Sequence, residues 1–124
     1  MLPICIKDTG KYGRGIFATR AIKKDELIEV SPVIVSPKDE WKYLKKTVLY
    51  YYCFHWGKKD TAIALGYGAL FNHSYSPNIR FKNNKENLTI DFHALEDINE
   101  GEELTINYSG NPEDMSKLWF DVIE

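Results

Sequence analysis

The sequence has little cysteine: Cys5 and Cys53 stand far apart and form no C-x-x-C pair. Neither a disulfide framework nor a structural zinc site is expected. The three histidines, His55, His73 and His93, are scattered without ligand spacing, so no metal is expected. A basic surplus is also missing, since 16 Lys and Arg face 18 Asp and Glu for a net charge of -2. That balance argues against direct nucleic-acid binding, which rests on a positive surface. No apolar run approaches the ~18 residues of a membrane helix. The start, "MLPICIKDTGKYG", has no long apolar stretch behind positive residues, so no signal peptide is expected. The expectation is an intracellular, soluble protein that contacts no membrane. Internal repeats, low-complexity tracts and linkers are absent as well. What the chain does have is 124 residues, enough for one core, and a generous aromatic share of 8 Tyr, 6 Phe and 3 Trp. Such a share suits a dense core, an aromatic-lined site, or both.

Apolar periodicity outlines the elements. In "ICIKDTGKYGRGIFATRAI", Ile4 and Ile6 alternate with polar neighbours and Ile16-Phe17-Ala18 restarts the pattern, which predicts two short strands around a Gly-rich turn. "LIEVSPVIVSP" is β-branched and apolar, and Pro32 within it predicts an edge strand or a bulge. Ser36-Pro37 followed by Asp39-Glu40 is a helix start, and Trp41, Leu44, Val48 and Tyr51 recur at helical spacing up to Gly57. A helical insert over about 37–57 is predicted. "KKDTAIALGYG" reads as a short strand or a turn of helix. "IRFKNNKENLTIDFHALEDI" predicts a hairpin, with Ile79 and Phe81 on one arm and Leu88, Ile90 and Phe92 on the other. "LTINY" predicts a last strand, and 111–124 a loop that ends in a short helix. Many short strands with one modest helix point to a mainly β, multi-sheet or barrel-like fold.

Three polar blocks interrupt this pattern. "KYGRGIFA" places Gly13-x-Gly15 between strands, where a backbone can approach a ligand closely; a plain β-turn explains it as well. No helix follows and a third glycine is missing, so it is not a dinucleotide fingerprint. "GYGALFNHSYSPN" sets Asn72, His73 and Ser74 side by side ahead of Pro77-Asn78. An Asx- and Ser-rich turn accounts for such residues singly. A serine hydrolase built on Ser74 and His73 lacks the G-x-S-x-G elbow and an evident acid partner. "GEELTINY" ends on Tyr108, which taken alone is a ring that packs and bonds its hydroxyl.

Together the blocks say more. G-x-G-[IVL]-[FY]-A, then N-H-S-x-x-P-N, then G-E-E-L-T-x-x-Y, in this order over roughly residues 4–110, resemble the SET domain family of protein-lysine methyltransferases, and in particular its compact stand-alone members, a small viral form among them. The resemblance implies a SET domain over 1–110, several small sheets with a knot-like C-terminal crossing, and S-adenosylmethionine as cofactor. It implies that Gly13, Arg14 and Gly15 lie against the cofactor and that Asn72 and His73 bind it, the Asn side chain at its amino group and the backbone of this step at its adenine. Tyr108 corresponds to the catalytic tyrosine. Tyr52, Phe81, Phe92 and His93 are the candidates for the walls of the substrate-lysine channel; a helical-core role competes for one or two of Tyr50, Tyr51 and Tyr52. The segment 111–124 carries Trp119 and Phe120 and serves either as a lid over the cofactor, with Trp119 in contact, or as a packed C-terminal helix. Ala69 stands where many members carry Arg, and His93 where many carry an aromatic carbon ring; a non-catalytic lysine-peptide binding module is the alternative these departures motivate. The implied partner is a histone tail or another basic protein, and the aromatics of "VLYYYCFHW" offer a patch for a homodimer.

Overall fold

The computed structural model describes residues 2–116. Strands β1 (Ile4–Asp8) and β2 (Arg14–Ala18) form an antiparallel hairpin in register Ile4↔Ala18 to Asp8↔Arg14. The turn between them closes with Thr9 N–H donating to the Gly13 carbonyl at 2.8 Å. Gly13 has φ 94°, a left-handed conformation that glycine reaches without penalty. β2 pairs on its other side with β9 (Glu103–Ile106), and β9 pairs in parallel with the two-residue strand β6 (Asn72–His73). The four-stranded sheet has the order β1-β2-β9-β6, so its two ends come from distant parts of the chain.

The second sheet has five antiparallel strands in the order β4-β5-β3-β8-β7. These are β3 (Leu27–Ser36), β4 (Phe54–Trp56), β5 (Asp60–Ala64), β7 (Ile79–Asn84) and β8 (Thr89–Ala94). The expected hairpin of β7 and β8 is present, with Ile79↔Ala94 to Asn84↔Thr89 in register. The strand that carries Pro32 is the central one, not an edge. β8 pairs with β3 over Leu27–Pro32 and β5 over Val33–Ser36, so the missing N–H falls where one partner hands over to the other. The irregularity in this strand lies earlier, between Leu27 and Glu29. At the ends of the sheet, the Phe54 and Phe81 rings meet at 5.1 Å and Asn83 Nδ2 donates to the His55 carbonyl at 2.9 Å. Side chains of β4 and β7 therefore draw the two edges together, in the direction of a barrel.

The predicted helical insert over 37–57 is broken into single turns. A 3-10 turn at Lys38–Glu40 runs into the four-residue helix α1 (Trp41–Leu44), and a second 3-10 turn covers Val48–Tyr51. None of these residues is buried. Without an apolar face to bury, nothing offsets the cost of nucleating a longer helix. Thr47, with φ -110° and ψ 168°, leaves the helical region and caps the next turn by accepting from Leu49 N–H. His55 and Trp56 belong to a strand, and only Trp56 of the insert aromatics is buried in the core.

Alternation builds that core. Ile90, Phe92 and Ala94 of β8 point inward at 0% exposure, as do Ile16, Leu104 and Ile106 of the first sheet. Phe71, just ahead of β6, stacks on Phe92 at 4.7 Å and joins the two sheets. A buried carboxylate, Glu29 on β3, accepts from Tyr67 N–H at 2.8 Å and from Ser31 Oγ at 2.9 Å, pinning the turn that leads into Phe71. Among the described residues no helix is long and apolar enough to cross a membrane.

Candidate active site

The block from Asn72 to Asn78 is where separate parts of the chain lock together. Asn72 and His73 run parallel to Thr105 and Ile106, and Ser74 N–H donates to the Ile106 carbonyl at 2.9 Å. Buried Asn78 clasps β9 with its side chain, donating to the Glu103 carbonyl and accepting from Thr105 N–H, both at 2.9 Å. Immediately beyond β9, Tyr108 N–H donates to Nδ1 of the buried His73 ring at 3.0 Å. These polar side chains replace ladder bonds that two-residue strands cannot supply. An Asx- and Ser-rich turn does describe part of the block, since Ser76 N–H donates to Ser74 Oγ at 2.9 Å. The rest is an anchor for β9 and for the residue at its end.

Beside this anchor the first polar block folds against Asn72. Asn72 Nδ2 donates to the Arg14 carbonyl at 2.9 Å and to Glu103 Oε2 at 2.8 Å. The other carboxylate oxygen of Glu103 accepts from the Tyr12 hydroxyl. The two glycines divide the work. A Cβ on Gly15 would stand 2.5 Å from Glu103 Oε2 and 2.9 Å from Asn72 Nδ2, so this position makes room for the protein's own side chains. A Cβ on Gly13 would meet nothing within 4 Å, so the open backbone is here. Gly13, Arg14, Gly15, Asn72 and His73 thus share one region, as their motifs lead one to expect, and Arg14 is exposed within it. Glu103 and Tyr12, at its centre, were not singled out by sequence reasoning. The local pattern carries no signal for Glu103: Leu104 and Ile106 are the buried positions of β9, and Glu103 and Thr105 take the alternate, half-exposed positions, where a carboxylate needs no partner.

On the other side of the 71–73 stretch lies an aromatic hollow. A cavity of about 490 Å³ is lined by Trp41, Tyr50–Tyr52, Phe54, Phe71 and Tyr108, among others, with Lys58, Lys59 and Asp60 also on its wall. A second, of about 380 Å³, is lined by Phe54, His55, Phe81, Lys82, Asn83 and Tyr108, with Ser109 and Gly110. Phe54, His55 and Tyr108 belong to both. The Tyr108 hydroxyl donates to the Phe71 carbonyl at 3.2 Å, and its ring packs edge-on to His73 at 5.1 Å. Burial, with the Tyr52 phenol and the Glu103 carboxylate nearby, pushes the Tyr108 phenol up to about 12.

The channel candidates separate. Tyr52 and Phe81 each line a cavity that reaches Tyr108. Phe92, fully buried, backs this wall through Phe71 and Phe54, at 4.7 and 6.3 Å, and lines neither cavity. His93 is a correction. It follows Phe92 on β8, so the strand turns it to the opposite face, across from Leu27 and Arg80. It joins neither cavity. The expectation that one or two of Tyr50–Tyr52 sit in a helical core fails with the helix: Tyr51 and Tyr52 are 59% and 40% exposed. Ala69 lies on the wall of the larger cavity beside Phe71. Trp119, Phe120 and the predicted C-terminal helix lie outside the described residues.

Residues 13–109 match the SET domain family. The histone-lysine N-methyltransferase, H3 lysine-37 specific, of Schizosaccharomyces pombe is 37% identical over 120 residues, which span 96% of this chain and 78% of that protein. A crystal structure of a candidate histone methyltransferase from Plasmodium falciparum superposes with a TM-score of 0.74 at 30% identity, over 87% of this chain and 94% of that one. A humanized mutant of Chaetomium thermophilum Polycomb Repressive Complex 2 bound to the inhibitor GSK126 shares the fold, with a TM-score of 0.70 at 22% identity over 86% of this chain and 15% of that one.

Proposed function

Because this chain belongs to the SET domain family of protein-lysine methyltransferases, we propose that it transfers the methyl group of S-adenosylmethionine to a lysine amine of a histone or another basic protein, with Tyr108 as the catalytic residue. One observation supports the assignment of the site. Tyr108 lines both cavities, its hydroxyl lies 3.2 Å from the Phe71 carbonyl, and its backbone is tied through His73 to the strand that carries Asn72.

The residues fit the proposed cofactor. Gly13 offers open backbone to its methionine part, and exposed Arg14 a cation for its carboxylate. Asn72 offers its amide to the amino group, and the Asn72-His73 backbone, on a strand at the end of its sheet, has groups for the adenine. Trp119 is proposed to cover it from the C-terminal segment. Bound there, S-adenosylmethionine supplies an electrophilic methyl on a sulfonium. The substrate lysine is proposed to reach Tyr108 between Tyr52 and Phe81, with Phe92 backing the wall. Only the neutral amine is nucleophilic, and free lysine has a pKa of about 10.4. Apolar walls disfavour the ammonium. A phenol raised to about 12 stays protonated at neutral pH, so Tyr108 is not the base, and the lysine proton passes to water. The hydroxyl donates its hydrogen to Phe71, and its oxygen is proposed as an acceptor for the C–H groups of the transferring methyl. Such C–H···O contacts contribute on the order of 0.5–1 kcal/mol each, so alignment of amine and methyl is the larger effect.

The name of the yeast relative makes a histone H3 tail the first substrate to try, and a nuclear site of action goes with it. The exposed aromatics of "VLYYYCFHW", Tyr51 and Tyr52 at 59% and 40% exposure, are proposed as the homodimer patch; sedimentation velocity should show a dimer for wild type and a monomer for Tyr51→Ser. The activity is tested by transfer of labelled methyl from S-adenosylmethionine to histone H3 and a panel of lysine-rich proteins. Transfer to at least one substrate is expected. In Tyr108→Phe, kcat should fall roughly ten- to thirtyfold, reflecting the loss of about 1.5–2 kcal/mol of hydroxyl contacts. Absence of cofactor binding by calorimetry would reject the proposal.

A further inference from the structure

The orientation of Asn72 is dictated by its neighbours. Its Nδ2 faces two acceptors, the Arg14 carbonyl at 2.9 Å and Glu103 Oε2 at 2.8 Å. Neither can donate, so only the NH2 end of the amide can point at them. The planar amide then turns its oxygen the other way. Glu103 is itself held. Its second oxygen accepts from the Tyr12 hydroxyl, its backbone pairs with Phe17 across the sheet, and the missing side chain at Gly15 leaves it room. Two segments distant in sequence from Glu103, residues 12–17 and Asn72, thereby converge on one carboxylate.

We propose that Glu103 is a positioning residue for the cofactor's amino group: its carboxylate locks Asn72 with the oxygen outward, as an acceptor for an ammonium, and places a negative charge behind it. The inference rests on the cofactor reading above. In Glu103→Gln the amide turns its oxygen to Asn72 Nδ2 and its NH2 to the Tyr12 hydroxyl oxygen, which can accept, so Asn72 keeps its orientation and the negative charge behind the ammonium is what is lost. The change is nearly isosteric, and its cost should be confined to ligands that carry the amino group.

The test is calorimetric binding of S-adenosylhomocysteine and of its analogue with hydrogen in place of the α-amino group. Wild type should prefer the amino-bearing ligand. Glu103→Gln should bind it at least tenfold more weakly while its affinity for the deaminated analogue changes less than twofold. Asn72→Ala, which leaves Glu103 with Tyr12, should lose the same preference, and the double variant should lose no more than either single one, because the two residues act in series. Equal losses for both ligands, or additive losses in the double variant, would overturn the role of Glu103. A wild type that binds neither ligand would instead overturn the cofactor reading, and this inference with it.

Discussion

Tyr108 is legible at the end of "GEELTINY", and its surroundings are not. Sequence could say that a tyrosine follows a strand; that its hydroxyl meets the Phe71 carbonyl depends on a contact across 37 positions. Its raised pKa has a consequence for stability. The folded phenol ionises near 12 and an unfolded one near ~10, so below pH ~10 the two states bind the same proton. Between ~10 and ~12 the unfolded state loses it first, and stability falls as pH rises by on the order of 2–3 kcal/mol. Urea unfolding of wild type should become steeply easier over that window, and Tyr108→Phe should lack this part of the slope. Asn78 is the second residue whose role is physical rather than chemical. Asn78→Ala removes one partner from a β9 carbonyl and one from a β9 N–H and should cost about 2–4 kcal/mol; Asn78→Asp should cost at least as much at neutral pH, because a buried carboxylate oxygen then faces the Glu103 carbonyl oxygen. Urea midpoints rank the three proteins. His93, in contrast, was readable: it is the neighbour of Phe92 in an alternating strand, and adjacent strand residues cannot line one wall.

Strand alternation proved legible because a period of two is written in the covalent order. Both hairpins and β9 lie where Ile, Phe and Leu alternate with polar residues. The insert misled for the same local reason. Trp41, Leu44, Val48 and Tyr51 have helical spacing, but spacing describes a face and not whether anything covers it. Their turns pack no residue into the core. Amides of Trp41–Leu44 and Val48–Tyr51 should accordingly exchange with solvent several orders of magnitude faster than those of β3 and β8, which lie inside a sheet bonded on both sides. Comparable protection in hydrogen exchange would mean that the insert is held by contacts beyond these turns. Pro32 misled differently. The rule that bars proline from a central strand assumes one partner along each edge, and β3 changes partner at that residue.

The molecule as a whole is two sheets that neither half of the chain can build alone. β1 and β2 need β9 and β6, and β3 needs β8. Phe71 and Phe92 stack across the junction at 4.7 Å, so the sheets share their core. Unfolding should therefore be a single transition, with far-UV and near-UV circular dichroism coincident in urea; separate midpoints would show that the sheets are independent. The sequence by itself determined the mainly β class, most strand positions, the three polar blocks and, through them, the family. Those are properties of local pattern and of residue identity, both complete in the covalent chain. Only the tertiary structure decided that Glu103 gathers Asn72 and Tyr12 from 31 and 91 positions away, that Gly15 serves this packing, and that His93 stands outside the aromatic hollow. Alternation specifies which face a residue occupies; which strand lies beside it, and so which side chain its polar atoms meet, is set by burying all the apolar faces at once.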